Sequence, residues 1–166
     1  MKRFFCVMAL IALAGNASAA TTAKTAHPAM KMPDHGLTTP GDIKWGPAPP
    51  VFQAGAQMAV LHGNPGGAGL YTVRLKMPDG YRIMPHWHPT TENVTVISGS
   101  FHLGTGPKFD ETKGSEMPAG SFGFVGPHMQ HYAWVTGETV VQVHGMGPFK
   151  LVYVNPADDP SPKAAK

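Results

Sequence analysis

The segment HWHPTTE, residues 86–92, places two histidines and a glutamate within seven positions. Two neutral imidazoles and a carboxylate form a donor set suited to a divalent first-row metal. On an extended strand, successive side chains point to opposite faces. Met84, His86 and His88 therefore face one way, and Pro85 and Trp87 the other. Pro89 opens a three-residue turn. If residues 92–98 return as a strand, Glu92, Val94, Val96 and Ser98 share a face. Three ligands would then sit near the mouth of an apolar-walled barrel, leaving coordination positions open to substrate or oxygen. The plainer alternative is a polar turn whose histidines are exposed and hold nothing.

The elements that must position these residues are short strands. Twenty glycines and 17 prolines punctuate the 166-residue chain, and only 14% of residues are charged. Such a composition favours turns and strands over long helices. In LYTVRLKM (70–77), Tyr71, Val73 and Leu75 alternate with Thr72, Arg74 and Lys76, the pattern of a half-buried strand. Further extended runs are QMAVLHG, YRIMPHWH, ENVTVISG, FHLGTG, SFGFV, QHYAWV, ETVVQVHG and FKLVYV. Met77–Gly80 reads as a turn, Gly99-Ser100 as a tight corner, and Thr136-Gly137 as a hairpin turn. Residues 107–119 are less regular, with room for one short helical turn. About nine or ten strands without an amphipathic helix indicate one all-β domain, an antiparallel sandwich or barrel. The domain is expected over 51–155, after a Pro/Thr-rich flexible arm at 20–50 and before a frayed tail at 156–166.

Gly80, His86, His88, Glu92 and Gly99 fit the pattern G-x5-H-x-H-x3-E-x6-G, which resembles the first motif of the cupin superfamily at every position. The segment GSFGFVGPHMQHYAWV is similar to the second cupin motif from Gly120. It departs at Gly126, where proline is usual, at His128, where glycine is usual, and at Val135, where asparagine is usual. The spacing from Gly120 to His131 is kept. The resemblance covers roughly residues 57–150. It implies a double-stranded β-helix, or jelly roll, with His86, His88, Glu92 and His131 as ligands of one divalent metal (iron, manganese, nickel or zinc). It also favours a homodimer. His128, three residues before His131, competes for the fourth position, and the motif spacing favours His131.

Around the ligands, Gln142 and His144 share one face of their strand, opposite Val141 and Val143. They touch the pocket if that face is inward and are solvated if it is outward. Tyr71 and Met84 are expected to line the pocket, although core packing explains both as well. Trp87 and Trp134 are expected to cover the outer face, beneath the arm or a second subunit. His62 and His102 carry no role.

The first residues read as a secretory signal: basic Lys2 and Arg3, the apolar stretch FFCVMALIALAG, then Ala17-Ser18-Ala19 as a cleavage pattern. Cleavage after Ala19 removes Cys6, the single cysteine, so the mature chain has no disulfide and no thiolate chemistry. It also reduces the net charge of +3 to about +1. No basic patch with interleaved aromatics points to nucleic acid. Stable membrane insertion is not expected either. His27, Met30, Met32 and His35 in the arm offer at most weak copper binding. Asp79, Asp110 and Glu111 fall in loops as solvated carboxylates. The expected function is a secreted or periplasmic metalloenzyme of dioxygenase, isomerase or lyase type acting on a small organic molecule. The alternative is a non-catalytic small-molecule or metal-binding protein, a sensor or carrier.

Overall fold

The computed structural model describes residues 35–162. Among them are nine strands: β1 (Gly46–Pro47), β2 (Gln57–His62), β3 (Gly69–Met77), β4 (Arg82–Trp87), β5 (Glu92–Thr105), β6 (Ser115–Pro118), β7 (Phe122–Val125), β8 (His131–Gly147) and β9 (Val152–Tyr153). All pairings are antiparallel. The helical content of the described residues is three single 3-10 turns, one of them Glu111–Lys113 in the irregular stretch. No helix among them is long and apolar enough to cross a membrane.

Two long strands organise the fold. The C-terminal half of β8 pairs with β3 on one side and with residues 93–98 of β5 on the other. Its N-terminal half pairs with β4 and with residues 100–105 of β5. Outside β5, β7 pairs with residues 92–95 and β6 with residues 100–103. The sheet therefore curls into two facing halves that share β5 and β8, the jelly-roll arrangement.

The bend arises where both shared strands are irregular. The β5–β8 register shifts between Val96 and Ser98 and again between Ser98 and Ser100. Gly99 (φ 79°) and Gly137 (φ 71°) adopt the left-handed conformation that glycine tolerates best. Thr139 is wholly buried at this corner. Its Oγ1 accepts from the Ser100 amide at 3.2 Å and lies 3.2 and 3.1 Å from the Ser100 and Gly137 carbonyls. Thus Gly99-Ser100 and Thr136-Gly137 are bends inside continuous strands. The expected hairpin at 136–137 is not formed, because residues on both sides of it keep pairing with the same partner, β5.

The alternation in β3 is as expected: Tyr71, Val73, Leu75 and Met77 are buried, and the residues between them are not. They join Val94, Val96 and Phe101 of β5 and Ala133, Val135, Val141 and Val143 of β8 in one apolar cluster. Each large side chain so buried contributes about 1.5–3 kcal/mol.

The expected boundaries shift at both ends. The arm placed at 20–50 already pairs at Gly46 and Pro47, which face Met58 and Gln57. Ala48 and Val51 then pack on the core. Residues of the arm up to 34, including His27, Met30 and Met32, and the whole signal segment lie outside the described residues. The tail placed at 156–166 opens with an ordered turn, Pro156–Asp158, whose Ala157 amide donates to the Asn155 side chain at 3.1 Å.

Candidate metal centre

The site begins with the end of β4. Pro85 has no amide hydrogen for the ladder, and the β4–β8 register shifts between Ile83 and His86. That shift reverses the simple alternation, so Ile83 and His86 both reach the interior, while Met84 packs partly buried against the core. His86 pairs across the ladder with His131, the first residue of β8. The chain then brings His88 alongside, and after the Pro89 turn β5 begins at Glu92.

His86, His88 and His131 are all buried, and each offers a ring nitrogen within 4.8 Å of the others. Their ring centroids are 4.1 Å (His86–His131), 5.0 Å (His86–His88) and 5.2 Å (His88–His131) apart. The backbone fixes the tautomer of each ring. Nδ1 of His86 lies 2.7 Å from the Met84 carbonyl, that of His88 2.8 Å from the Lys150 carbonyl, and that of His131 2.9 Å from the Met129 carbonyl. A carbonyl only accepts, so Nδ1 carries the proton and Nε2 keeps its lone pair. Buried Nε2 atoms of His88 and His131 have no hydrogen-bond partner. Buried polar atoms are normally paired. Three oriented imidazole lone pairs, two of them orphaned, fit a cation, and tethering the distal nitrogen is the usual support for such ligands.

Glu92 closes the group. Its carboxylate oxygens lie 3.5 Å from Nε2 of His88 and 3.5 Å from Nε2 of His131, with the side chain 14% exposed. Burial raises the Glu92 pKa, but the combined attraction of His88, His131 and His86 outweighs it and holds the carboxyl at about 2. Burial first, then the neighbouring His131 and His88, pushes His86 down to about 3. A neutral His86 and an ionised Glu92 thus present a lone pair and a negative charge to the same point.

Beside these residues lies a cavity of about 350 Å³. His86, Glu92 and His131 form part of its wall, and much of the rest is carbon from Val73, Val94, Phe101, Leu103, Val141 and Val143. The inward valines settle the parity of β8: Gln142 and His144 face outward and do not reach the site. Arg74 Nε donates to the Gln142 side chain at 3.2 Å, and the His144 ring lies against exposed Phe122 at 6.5 Å. Tyr71 is buried in the core, edge-on to Phe149, and is not part of the cavity wall. Desolvation, with the Glu92 charge nearby, raises its hydroxyl pKa to about 12. Met84 contributes its carbonyl rather than its side chain.

His128 is exposed, at φ 60°, with its ring 4.8 Å from that of Trp87. The residue that the structure brings beside His86 and His88 is His131, not His128. His102 stacks on Trp134 at 4.7 Å on the other side of the sheet, and His62 is exposed. Sequence reasoning missed Phe149, which lies 5.4 Å from the His88 ring and stacks on Phe52 at 6.1 Å. It follows the last paired residues of β8 in a loop, and nothing in its spacing connects it to the histidines.

The structure is similar to that of the polyketide cyclase RemF from Streptomyces resistomycificus, with 19% identity over 76% of this chain and 89% of that one (TM-score 0.62). RmlC-like cupins from Ralstonia eutropha JMP134 (20% identity, 75% and 74% covered, TM-score 0.56) and Shewanella frigidimarina NCIMB 400 (18% identity, 68% and 90% covered, TM-score 0.54) are similar in the same way. At these identities the likeness shows the fold. No curated protein matches the sequence significantly. The profile of the ChrR cupin-like domain matches residues 33–150, a stretch that contains both histidine motifs and most of the barrel, and the chain therefore belongs to the ChrR cupin-like domain family of the cupin superfamily.

Proposed function

We propose that this protein is an exported metalloenzyme. In this reading His86, His88, His131 and Glu92 hold one divalent cation (iron, manganese, nickel or zinc), and a small organic molecule is transformed in the adjoining cavity. The observation that carries the reading is the pair of buried, unpartnered Nε2 atoms on His88 and His131 beside an accessible apolar chamber. A bound cation would supply Lewis acidity or, if redox-active, an electron-transfer centre for dioxygenase-, isomerase- or lyase-type chemistry.

The chain's own residues do the rest. The carbonyls of Met84, Lys150 and Met129 hold the three rings in one tautomer and orientation. Glu92 brings a compensating negative charge, which reduces the net charge of a loaded site. The valine-rich walls exclude water and so strengthen electrostatic interactions within the chamber. A metal that only stabilised the barrel would not need an open chamber against three of its ligands.

A specific observation favours a second reading, non-catalytic binding as a sensor or carrier. Glu92 is the only carboxylate among the residues lining the cavity, no hydroxyl side chain lines it, and the exposed Lys150 is the one ionisable group there outside the histidine–glutamate group, so no buried general acid or base separate from the metal-binding residues is in place. Turnover separates the two. The mature protein, loaded in parallel with each of the four metals, is offered small carbonyl, phenolic and hydroxy-acid compounds while oxygen and products are followed. Product formation that disappears in His131→Ala is expected. Saturable binding without product for any compound or metal would favour the carrier reading.

A further inference from the structure

We infer that the ligand of this chamber is a molecule with one oxygen-anion head (carboxylate, enolate or phenolate) on an otherwise apolar body of roughly a dozen non-hydrogen atoms. The inference rests on the proposed metal centre and adds to it the substrate class.

Three features carry it. The first is size. A cavity of ~150 Å³ holds a benzene ring, so the chamber of about 350 Å³ has room for about twice that bulk. The second is the distribution of polar groups. Those offered by side chains at the wall are gathered in one group, with His86 and His131 ring centroids 4.1 Å apart and Glu92 3.5 Å from His131. The one other ionisable residue at the wall, Lys150, is exposed, so an ion pair with its ammonium would be screened by water and worth little. Away from the histidines the wall is aliphatic and aromatic carbon, including Leu75, Ile83, Leu103 and Val141 from four strands and the stacked Phe52 and Phe149 from loops. A second polar group on the ligand would be buried without a partner, a strongly unfavourable placement. This disfavours sugars, dicarboxylates and amino acids. The third feature is charge. A divalent cation with one glutamate carries one net positive charge, which a single anionic oxygen neutralises.

The test uses the mature chain loaded with zinc, its metal content measured first, and titration calorimetry with four probes. Octanoate and 4-butylphenol carry one oxygen head; octanedioate and glucose match them in bulk but are polar at more than one end. Saturable binding of octanoate or 4-butylphenol, with octanedioate and glucose at least about hundredfold weaker, is expected, and the tighter of the first two identifies the head. Two cavity-filling variants, Ala133→Phe and Leu103→Phe, should retain metal and lose this binding; two are used because either alone can disturb folding. Metal-loaded protein that binds octanedioate or glucose as well as octanoate, or that binds neither single-headed probe, overturns the inference and leaves the metal centre standing. Protein that takes up no zinc overturns the metal centre and the inference with it.

Discussion

At the scale of single residues, the site works because three rings are held by backbone rather than by side chains. Main-chain acceptors at Met84, Met129 and Lys150 cannot be removed by substitution, so the orientation of the rings is tied to the backbone of β4 and of the loops on either side of β8. Burying His86 among two other histidines has a consequence for the metal-free protein. Its folded-state pKa is lowered from 6.5 to about 3. Above 6.5 neither folded nor unfolded chain binds a proton there, and stability is constant. As the pH falls below 6.5 only the unfolded chain binds one, and stability declines until the folded-state value is reached. Glu92, lowered from 4.5 to about 2, contributes stability that is present above 4.5 and lost as the pH falls through about 2. Between pH 7 and pH 5 Glu92 does not enter, and the His86 contribution is on the order of 2 kcal/mol. Urea midpoints of the chelated protein across that interval should fall accordingly, and His86→Asn should flatten the dependence. A flat profile in the parent protein would contradict the burial of a neutral His86.

At the scale of elements, the bend shared by β5 and β8 positions Glu92 near one end of the ladder and His131 at the other. A Cβ at Gly99 would come within 2.6 Å of the Glu138 carbonyl and 2.8 Å of Thr139 Cα, whereas at Gly137 it would meet nothing. Gly99→Ala should therefore destabilise the fold by about 2 kcal/mol or more, and Gly137→Ala by about 1 kcal/mol from its positive φ alone. Chemical denaturation of the two variants compares them directly; equal losses would show that the corner is not the tight junction described. The same elements show where sequence was readable. Tyr71, Val73 and Leu75 revealed β3 because strict alternation survives in a strand packed on one face. In β4 alternation failed, and Ile83 rather than Met84 shares the interior with His86. Pro85 was the available signal, since a proline inside a ladder implies an irregular register. The bends at Gly99 and Gly137 looked like strand ends because positive-φ glycines serve both turns and bulges, and only long-range pairing distinguishes the two.

At the scale of the whole molecule, the two histidine motifs were legible because their spacing is set by one turn and one ladder. The chamber was not, since its volume depends on how far the sheet curls and on loops at 49–52, 65–66 and 149–151 that no local pattern predicts. The outward facing of Gln142 and His144 belongs to the same class: V-Q-V-H alternates either way until the position of the interior is known. The proposed export belongs to this scale as well. If the leading segment is a cleaved signal, N-terminal sequencing of the exported protein should read Ala20 first; recovery of chains beginning at Met1 would contradict it.

The central claim is that His86, His88 and His131 converge on one cation. Metal analysis of freshly isolated mature protein tests it most directly. About one divalent metal per chain is expected in the parent, a loss of about tenfold or more in His86→Ala and in His131→Ala, and no change in His102→Ala, whose ring stacks on Trp134 instead. Full metal content in His86→Ala would contradict the account.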